Sequence, residues 1–157
     1  MKNFNKIILS IGSNVGDKLE NLEKCLKEIS KISKITKVSS LYESKPILYE
    51  EQENFFNLVI EIEYKKNPYD LLKNIKKIEK LMGREENFRF GPRLIDIDIV
   101  FFNNIELQGK ELTIPHYDWQ NRRFVIEPLS EIFREFNLSD YKINNQKIYK
   151  IGTIDYK

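Results

Sequence analysis

Apolar residues along the chain follow two periods, and these periods predict its secondary structure. Segments in which every second residue is apolar, or in which β-branched and aromatic residues dominate, predict strands. Segments with apolar residues three and four positions apart predict amphipathic helices. The predicted strands are Lys6–Ile11, Ile35–Tyr42, Asn54–Tyr64 and Leu94–Phe102, and the predicted helices are Asp17–Ser33 and the segment from Asn67-Pro68 to Gly83.

The order of these elements is strand, helix, strand, strand, helix, strand, which is the order of a split βαβ unit. It predicts an α+β, ferredoxin-like βαββαβ core, in which an antiparallel sheet carries the helices on one face. Three C-terminal features extend this core: a short hairpin through Gln108-Gly109 to Leu112–Ile114, a helix over Asn121–Phe133 with a boundary near Pro128, and a strand pair around Lys147–Ile154. Residues 1–157 are predicted to form a single domain.

The two core helices have start and stop signals. Asp17 is the predicted N-cap of the first helix, with Glu20 three residues later, and Pro68 suits the first turn of the second. The predicted buried stripe of the second helix comprises Leu71, Leu72, Ile75, Ile78, Leu81 and Met82. The turn Gly12–Asp17 is either a plain connection or a backbone that approaches a ligand closely.

The strand Leu94–Phe102 carries two carboxylates in an otherwise hydrophobic segment. Because side chains alternate along a strand, Asp96 and Asp98 share one face with Phe102, whereas Phe101 shares the other face with the isoleucines. Two carboxylates whose backbones lie roughly 6.5–7 Å apart repel each other and are costly to desolvate. A divalent cation, or a pair about 3.5–4 Å apart, would offset that cost. A polar face that simply meets solvent explains the pattern equally well.

Composition narrows the class of protein. The 157 residues are 41% hydrophobic and 32% charged, which is typical of a soluble globular domain. A net charge of +2 does not indicate a general nucleic-acid or membrane binder. Cys25 is the only cysteine, so neither an intramolecular disulfide nor a cysteine zinc site can form. No segment approaches the ~20 apolar residues of a membrane span, and we expect a cytoplasmic monomer.

Several polar residues could bind an anion or a small molecule. The arginines form two local groups, Arg84, Arg89 and Arg93, and then Arg122 and Arg123. Carboxylates that hold a metal, together with guanidinium groups, are how proteins bind polyphosphate. His116, the only histidine, is as readily a turn cap as a catalytic group, and Asn57 either accompanies a bulge or hydrogen-bonds the edge of a ligand. No Walker-type glycine loop and no convincing catalytic triad occur.

Six motifs occur in the order in which one enzyme family has them. They are Gly12–Asp17 (GSNVGD), Ser39–Tyr42 (SSLY), Phe55–Asn57 (FFN), Gly91–Ile99 (GPRLIDIDI), Leu112–His116 (LTIPH) and Arg122–Ile132 (RRFVIEPLSEI). Over about Lys6–Phe133 the chain resembles the 6-hydroxymethyl-7,8-dihydropterin pyrophosphokinases of folate biosynthesis. The resemblance implies a ferredoxin-like fold and transfer of the pyrophosphoryl group of ATP, as co-substrate, to the hydroxymethyl oxygen of the dihydropterin, with two Mg²⁺ ions and release of AMP.

The resemblance also implies site residues. Asp96 and Asp98 match the Mg²⁺ ligands and, with the loop arginines Arg84 and Arg93, would be catalytic. The positions that match the pterin pocket are Ser44, Ile47, Phe55, Asn57 and Phe124. The positions that match ATP contacts are Glu79, Phe90, Ile99, Thr113, His116, Tyr117 and Arg122. The loops Glu43–Gln52 and Arg84–Arg93 are expected to close over the substrates.

Some residues depart from the family pattern. Glu85-Glu86 stand where basic residues are frequent, Phe90 stands where tryptophan is frequent, and Arg123 replaces a small residue. Two rival functions use the same topology: a non-catalytic RNA-binding module and a domain that senses ATP without turnover. The RNA-binding alternative is weakened by the absence of an aromatic RNP pattern and by two aspartates that would repel phosphate without a metal.

Overall fold

The computed structural model describes residues 4–46, 51–83 and 93–156. Its strands are β1 (Ile7–Ser13), β2 (Lys34–Val38), β3 (Leu41–Ser44), β4 (Phe55–Glu63), β5 (Asp96–Phe102), β6 (Leu107–Gln108), β7 (Thr113–Ile114) and β8 (Ile148–Gly152), and its helices are α1 (Lys18–Ile32), α2 (Pro68–Leu81) and α3 (Arg123–Ile132). The main sheet has the order β5-β1-β4-β3-β8, and β2 also pairs with β4. All its pairings are antiparallel, so the predicted α+β, ferredoxin-like core is confirmed.

Helices α1 and α2 begin where the sequence predicts. The Asp17 side chain accepts the Glu20 backbone N–H at 3.1 Å, and the Asn67 side chain caps α2 through the Asp70 N–H at 2.9 Å. Each cap satisfies a donor that the first helical turn leaves without a partner. Gly83 follows α2 with φ +84°, a conformation that favours glycine.

The sheet has an apolar core on each face. On one face, alternate residues of the central strands, such as Leu9 and Ile60, pack with Leu22 and Leu26 of α1 and with Ile75 of α2. Each such burial contributes roughly 1.5–3 kcal/mol. The predicted stripe of α2 is confirmed at Leu71, Ile75 and Ile78, but it is wrong at Leu81, which is 70% exposed. Leu81 is the last residue of α2, and the last buried residues of the helix are Ile78 and Glu79.

Helix α3 covers part of the opposite face. Val125, Ile126 and Leu129 pack against Ile8 and Val59 in the second core. The helix begins at Arg123, two residues later than predicted, and Pro128 lies inside it instead of at a boundary. Proline removes one helical hydrogen bond, and the buried apolar face of α3 compensates for that loss. The apolar period therefore predicted this helix to within two residues at its start, whereas the boundary predicted near Pro128 is wrong.

The segment predicted as one strand over Ile35–Tyr42 is two strands, because the chain breaks at Ser39 and Ser40. The Ser39 N–H donates to the Val59 carbonyl at 2.9 Å, and the Ser39 hydroxyl accepts the Val59 N–H at the same distance. A side-chain oxygen thus replaces one backbone acceptor of the ladder. The tail likewise differs from the prediction, since it forms the single strand β8, which pairs with β3.

Strand β5 begins at Asp96, and a register shift against β1 between Ile8 and Leu9 changes its predicted alternation. Phe101 therefore joins the α3 side and Phe102 joins the side of α1 and α2. A bulge adds one residue to a strand and reverses the direction of the side chains beyond it. Asp96 and Asp98 precede the shift, so their predicted common face is unaffected.

Candidate active site

Asp96 and Asp98 lie on the sheet face that α1 and α2 do not cover. Asp96 pairs with Gly12 of β1, which pairs in turn with Asn57 of β4, and Asp98 pairs with Ser10. Residues directly opposite each other in an antiparallel sheet point to the same face. Both aspartates are half-buried, whereas Ser10 and Asn57 are buried. On this face the two aspartates of β5 therefore lie beside Gly12 and Ser10 of β1, and Asn57 of β4 lies beyond Gly12.

Arg122 brings a positive charge to this pair of aspartates. Its Nη1 lies 3.7 Å from the Asp98 Oδ2, and its Nε lies 3.3 Å from the Asp118 Oδ2. Burial raises the pKa of Asp118, but hydrogen bonds from Asn121 and Arg122 and the charge of Arg122 outweigh it, and the net shift is downward. The guanidinium group thus lies between two carboxylates at the start of α3, and phosphate oxygens are acceptors of the same kind.

His116 is fixed at the end of the β6–β7 hairpin. Its backbone N–H donates to the Val100 carbonyl at 2.9 Å, and its Nδ1 accepts the Asp118 N–H at 3.1 Å. An accepting Nδ1 requires the ring proton to sit on Nε2. Burial, together with the charge of Arg122, lowers the pKa of His116 to about 4. Tyr117, 66% exposed, stacks on its ring with the centroids 4.7 Å apart.

His116 is expected to remain neutral throughout the neutral pH range. Because the chain has one histidine, its imidazole resonances can be identified directly in an NMR titration. They should shift with a midpoint near pH 4, and above that pH the ring proton should be on Nε2. The unfolded chain takes up this proton first, around pH 6.5, so the stability contributed by the neutral ring is complete above about pH 6.5 and is lost as the pH falls towards 4. A midpoint at 6.5 would contradict the environment of this half-buried, hydrogen-bonded ring.

The residues predicted to line a pterin pocket include a buried amide. The Asn57 Nδ2 donates to the Ser44 Oγ at 2.6 Å. Phe55, two residues earlier on β4, shares this face and pairs with Ser44. Phe124, in the first turn of α3, lies under the Arg122 guanidinium, 5.5 Å from the ring centroid. The structure thus places Ser44, Phe55 and Asn57 together and attaches Phe124 to Arg122.

Gly12 leaves room for this arrangement, and we expect Gly12→Ala to impair it. An added Cβ would lie 3.0 Å from the Asn57 Oδ1 and 3.4 Å from the Phe55 ring, so the amide must shift. If Asn57 binds the pterin, as the family resemblance predicts, the KM for the pterin should rise roughly tenfold, the scale of one lost hydrogen bond to a bound ligand. Steady-state kinetics with each substrate varied separately would measure this. An effect confined to the KM for ATP would contradict the placement of Asn57.

Asn14 joins the segments that flank the two predicted loops. Its backbone N–H donates to the Arg93 carbonyl at 3.0 Å, and its Oδ1 accepts the Arg93 N–H at 2.7 Å. Its Nδ2 donates to the Gln52 Oε1 at 2.8 Å and to the Glu53 carbonyl at 3.1 Å. The turn Gly12–Asp17 therefore also fixes the backbone of Arg93, and its approach to a ligand stays a prediction.

The other predicted ATP-side residues are more scattered. Glu79 is buried on α2, where its Oε2 accepts the Ile97 N–H at 3.0 Å, and the Ile99 side chain belongs to the core beneath α1 and α2. Thr113 is half-buried in β7. Arg84, Ile47 and Phe90 lie outside the described residues.

Sequence reasoning missed Asp118 and Asn14 as site residues. Asp118 precedes Arg122 by four residues, a spacing that favours an ion pair on one helical turn, and this signal was available. The role of Asn14 depends on partners 38, 39 and 79 positions away, which a local pattern does not contain.

Comparison with known proteins identifies the family. The family model described as 7,8-dihydro-6-hydroxymethylpterin-pyrophosphokinase (HPPK) matches residues 8–134. The 2-amino-4-hydroxy-6-hydroxymethyldihydropteridine pyrophosphokinase of Aquifex aeolicus is 40% identical over 126 residues, which are 80% of this chain and 79% of that protein. The folic acid synthesis protein FOL1 of Dictyostelium discoideum is 44% identical over 132 residues, which are 84% of this chain and 20% of that protein.

Solved structures support the same fold. The crystal structure of wild-type Plasmodium falciparum HPPK-DHPS superposes with a TM-score of 0.63 at 20% identity, covering 89% of this chain and 42% of that one. The chain thus spans a fifth to a quarter of some curated relatives and about four-fifths of others. No helix among the described residues is long and apolar enough to cross a membrane. The motifs, the fold and the family match agree, and the chain belongs to the 7,8-dihydro-6-hydroxymethylpterin-pyrophosphokinase (HPPK) family.

Proposed function

We propose that this protein transfers pyrophosphate from ATP to 6-hydroxymethyl-7,8-dihydropterin, which gives AMP and the pterin diphosphate. The pterin hydroxyl oxygen forms a bond to the β-phosphorus, the bond from that phosphorus to the α–β bridging oxygen breaks, and the hydroxyl proton passes to solvent. The observation that carries this proposal is the pair Asp96 and Asp98 on one face of β5, with Arg122 3.7 Å from Asp98, in a chain of the HPPK family.

The aspartate pair fits magnesium that arrives with a triphosphate. Mg²⁺ prefers oxygen ligands and is usually held by one or two carboxylates together with phosphates and water. Asp96 and Asp98 supply two such carboxylates, and no set of three acidic, histidine or cysteine side chains capable of holding a metal occurs in the described part of the chain. Asp96 and Asp98 would hold bound Mg²⁺, for which we propose two ions, and the metal would supply charge neutralisation for the phosphates.

The chain's own residues orient the substrates around this pair. Arg122 binds oxygens of the triphosphate, and the Nε2–H of His116 donates a hydrogen bond to a further triphosphate oxygen. Asn57 hydrogen-bonds the edge of the pterin, whose ring lies between Phe55 and Phe124. Arg93, fixed through its backbone to Asn14, stabilises the transferring phosphoryl group. No general base is required, because positioning and charge stabilisation supply most of the rate enhancement of phosphoryl transfer.

We further propose that residues 1–157 act as a single pyrophosphokinase domain that is active as a monomer. The proposed site residues Asp96, Gly12 and Asn57 lie on three neighbouring strands of one sheet. No residue of a second copy is needed to complete this arrangement. Sedimentation of the active enzyme at assay concentration should give the mass of one chain.

An assay for AMP tests the proposed function in four mixtures: the complete one, and three that lack ATP, Mg²⁺ or the dihydropterin in turn. AMP should form only when ATP, Mg²⁺ and the dihydropterin are all present. AMP or ADP that forms equally without the pterin would indicate a hydrolase. Nucleotide binding without any turnover would favour the ATP-sensing alternative, and binding of single-stranded RNA without turnover would favour the RNA-binding module.

A further inference from the structure

We propose that Gln146, in the tail before β8, is a positioning residue for Arg122. This inference rests on the proposed function, in which Arg122 binds the triphosphate. Gln146 lies beyond residues 8–134, the stretch that the family model matches, and the tail has no evident chemical motif.

The Gln146 side-chain amide holds the backbone on both sides of Arg122. Its Oε1 accepts the Arg123 N–H at 2.9 Å, and its Nε2 donates to the Asn121 carbonyl at 2.6 Å. Because an N–H must meet the amide oxygen and a carbonyl must meet the amide nitrogen, only one orientation of the amide satisfies both partners. The two residues that flank Arg122 are therefore tied to one rigid planar group.

The start of α3 needs such support. Arg122 is its N-cap residue, but the Arg122 side chain makes no capping hydrogen bond to the helix, and the first turn contains no acidic residue. Gln146 supplies from a distant part of the chain an acceptor that a local cap normally provides. Two adjacent arginines at the positive end of the helix dipole further weaken this turn.

The Arg123 side chain in turn contacts the backbone of Gln146. Its Nη1 donates to the Gln146 backbone carbonyl at 3.0 Å, and its Nε donates to the Glu127 Oε1 at 3.0 Å. The two residues thus contact each other through both backbone and side chain, since Gln146 also accepts the Arg123 N–H. With the backbone fixed on the α3 side, the Arg122 side chain reaches Asp98 and Asp118.

The expected consequence is a loss of catalytic efficiency towards ATP. Gln146→Met keeps the length of the side chain and removes both amide bonds. Its kcat/KM for ATP should fall about three- to tenfold, the scale of losing a helix cap. Gln146→Ala serves as a second variant should the methionine disturb packing. Asn144→Ala, an exposed amide two residues earlier in the same tail, is the matched control and should be unchanged.

A double-mutant cycle distinguishes positioning from general stabilisation. In an Arg122→Lys background, Gln146→Met should lower kcat/KM less than twofold, because the residue through which it acts is already changed. Amide hydrogen exchange at the Arg123 N–H should be at least about threefold faster in Gln146→Met. Equal losses in both backgrounds, or wild-type kinetics in Gln146→Met and Gln146→Ala, would overturn the inference. A wild-type enzyme without turnover would instead refute the proposed function, and the exchange measurement would still test the contact.

Discussion

Asp96→Asn and Asp98→Asn should each lower AMP formation by roughly 100- to 1,000-fold at saturating ATP and pterin. Asparagine preserves the shape of the side chain and removes its charge, so the change isolates the electrostatic role. Charge stabilisation by a bound metal is worth several kcal/mol in the transition state, and each 1.36 kcal/mol is a factor of ten. Stopped assays for AMP at several Mg²⁺ concentrations would measure the loss.

The same substitutions should leave the fold almost unchanged. Both carboxylates are half-buried, and relief of the repulsion between them offsets the weakened attraction between Asp98 and Arg122. We expect the Tm without Mg²⁺ to change by no more than about 2–4 °C, equivalent to about 1 kcal/mol. Asp140→Asn, at an exposed position in the tail, is the control. AMP formation near the wild-type rate in either active-site variant would refute the metal-binding role.

Arg93→Ala should lower kcat at least about 100-fold and change the dissociation constant of the pterin by less than about threefold. An arginine that contacts the transferring phosphoryl group acts mainly in the transition state, so its loss appears in turnover. The backbone contacts with Asn14 involve the N–H and carbonyl of Arg93 and survive the substitution. Single-turnover kinetics combined with fluorescence titration of the pterin would separate the two effects.

Arg134→Ala, an exposed arginine just beyond α3, is the matched control for the loss of one positive charge. It should retain wild-type turnover. A large rise in the pterin dissociation constant of Arg93→Ala with little change in kcat would place Arg93 among the pterin-binding residues instead.

Local sequence patterns were sufficient for the order of the core elements and for the common face of the aspartate pair. A period of two placed Asp96 and Asp98 on one face, and N-cap residues placed the starts of α1 and α2, because both signals depend on neighbours within four positions. Alternation alone does not separate a metal site from a solvent-facing strand, and the proposed roles of the two aspartates come from the family resemblance.

The remainder depends on contacts that are distant in sequence. The reversal of Phe101 and Phe102 arises from register against β1, and the break at Ser39 arises from a hydroxyl that bonds β4. Pro128 inside α3 is tolerated because tertiary burial outweighs a local propensity. The Gln146 contact joins residues 23 and 25 positions apart. None of these pairings leaves a periodic signal in the chain.

The most direct test of the account measures the binding of α,β-methylene-ATP, which cannot be cleaved at the bond in question, with and without Mg²⁺. The wild-type protein should bind the analogue much more tightly when Mg²⁺ is present. In the Asp96→Asn/Asp98→Asn double variant this dependence on Mg²⁺ should disappear, while the far-UV circular dichroism spectrum stays that of the wild type. A folded double variant that retains the full Mg²⁺-dependent gain in affinity would contradict the claim that these two carboxylates hold the metal–nucleotide complex.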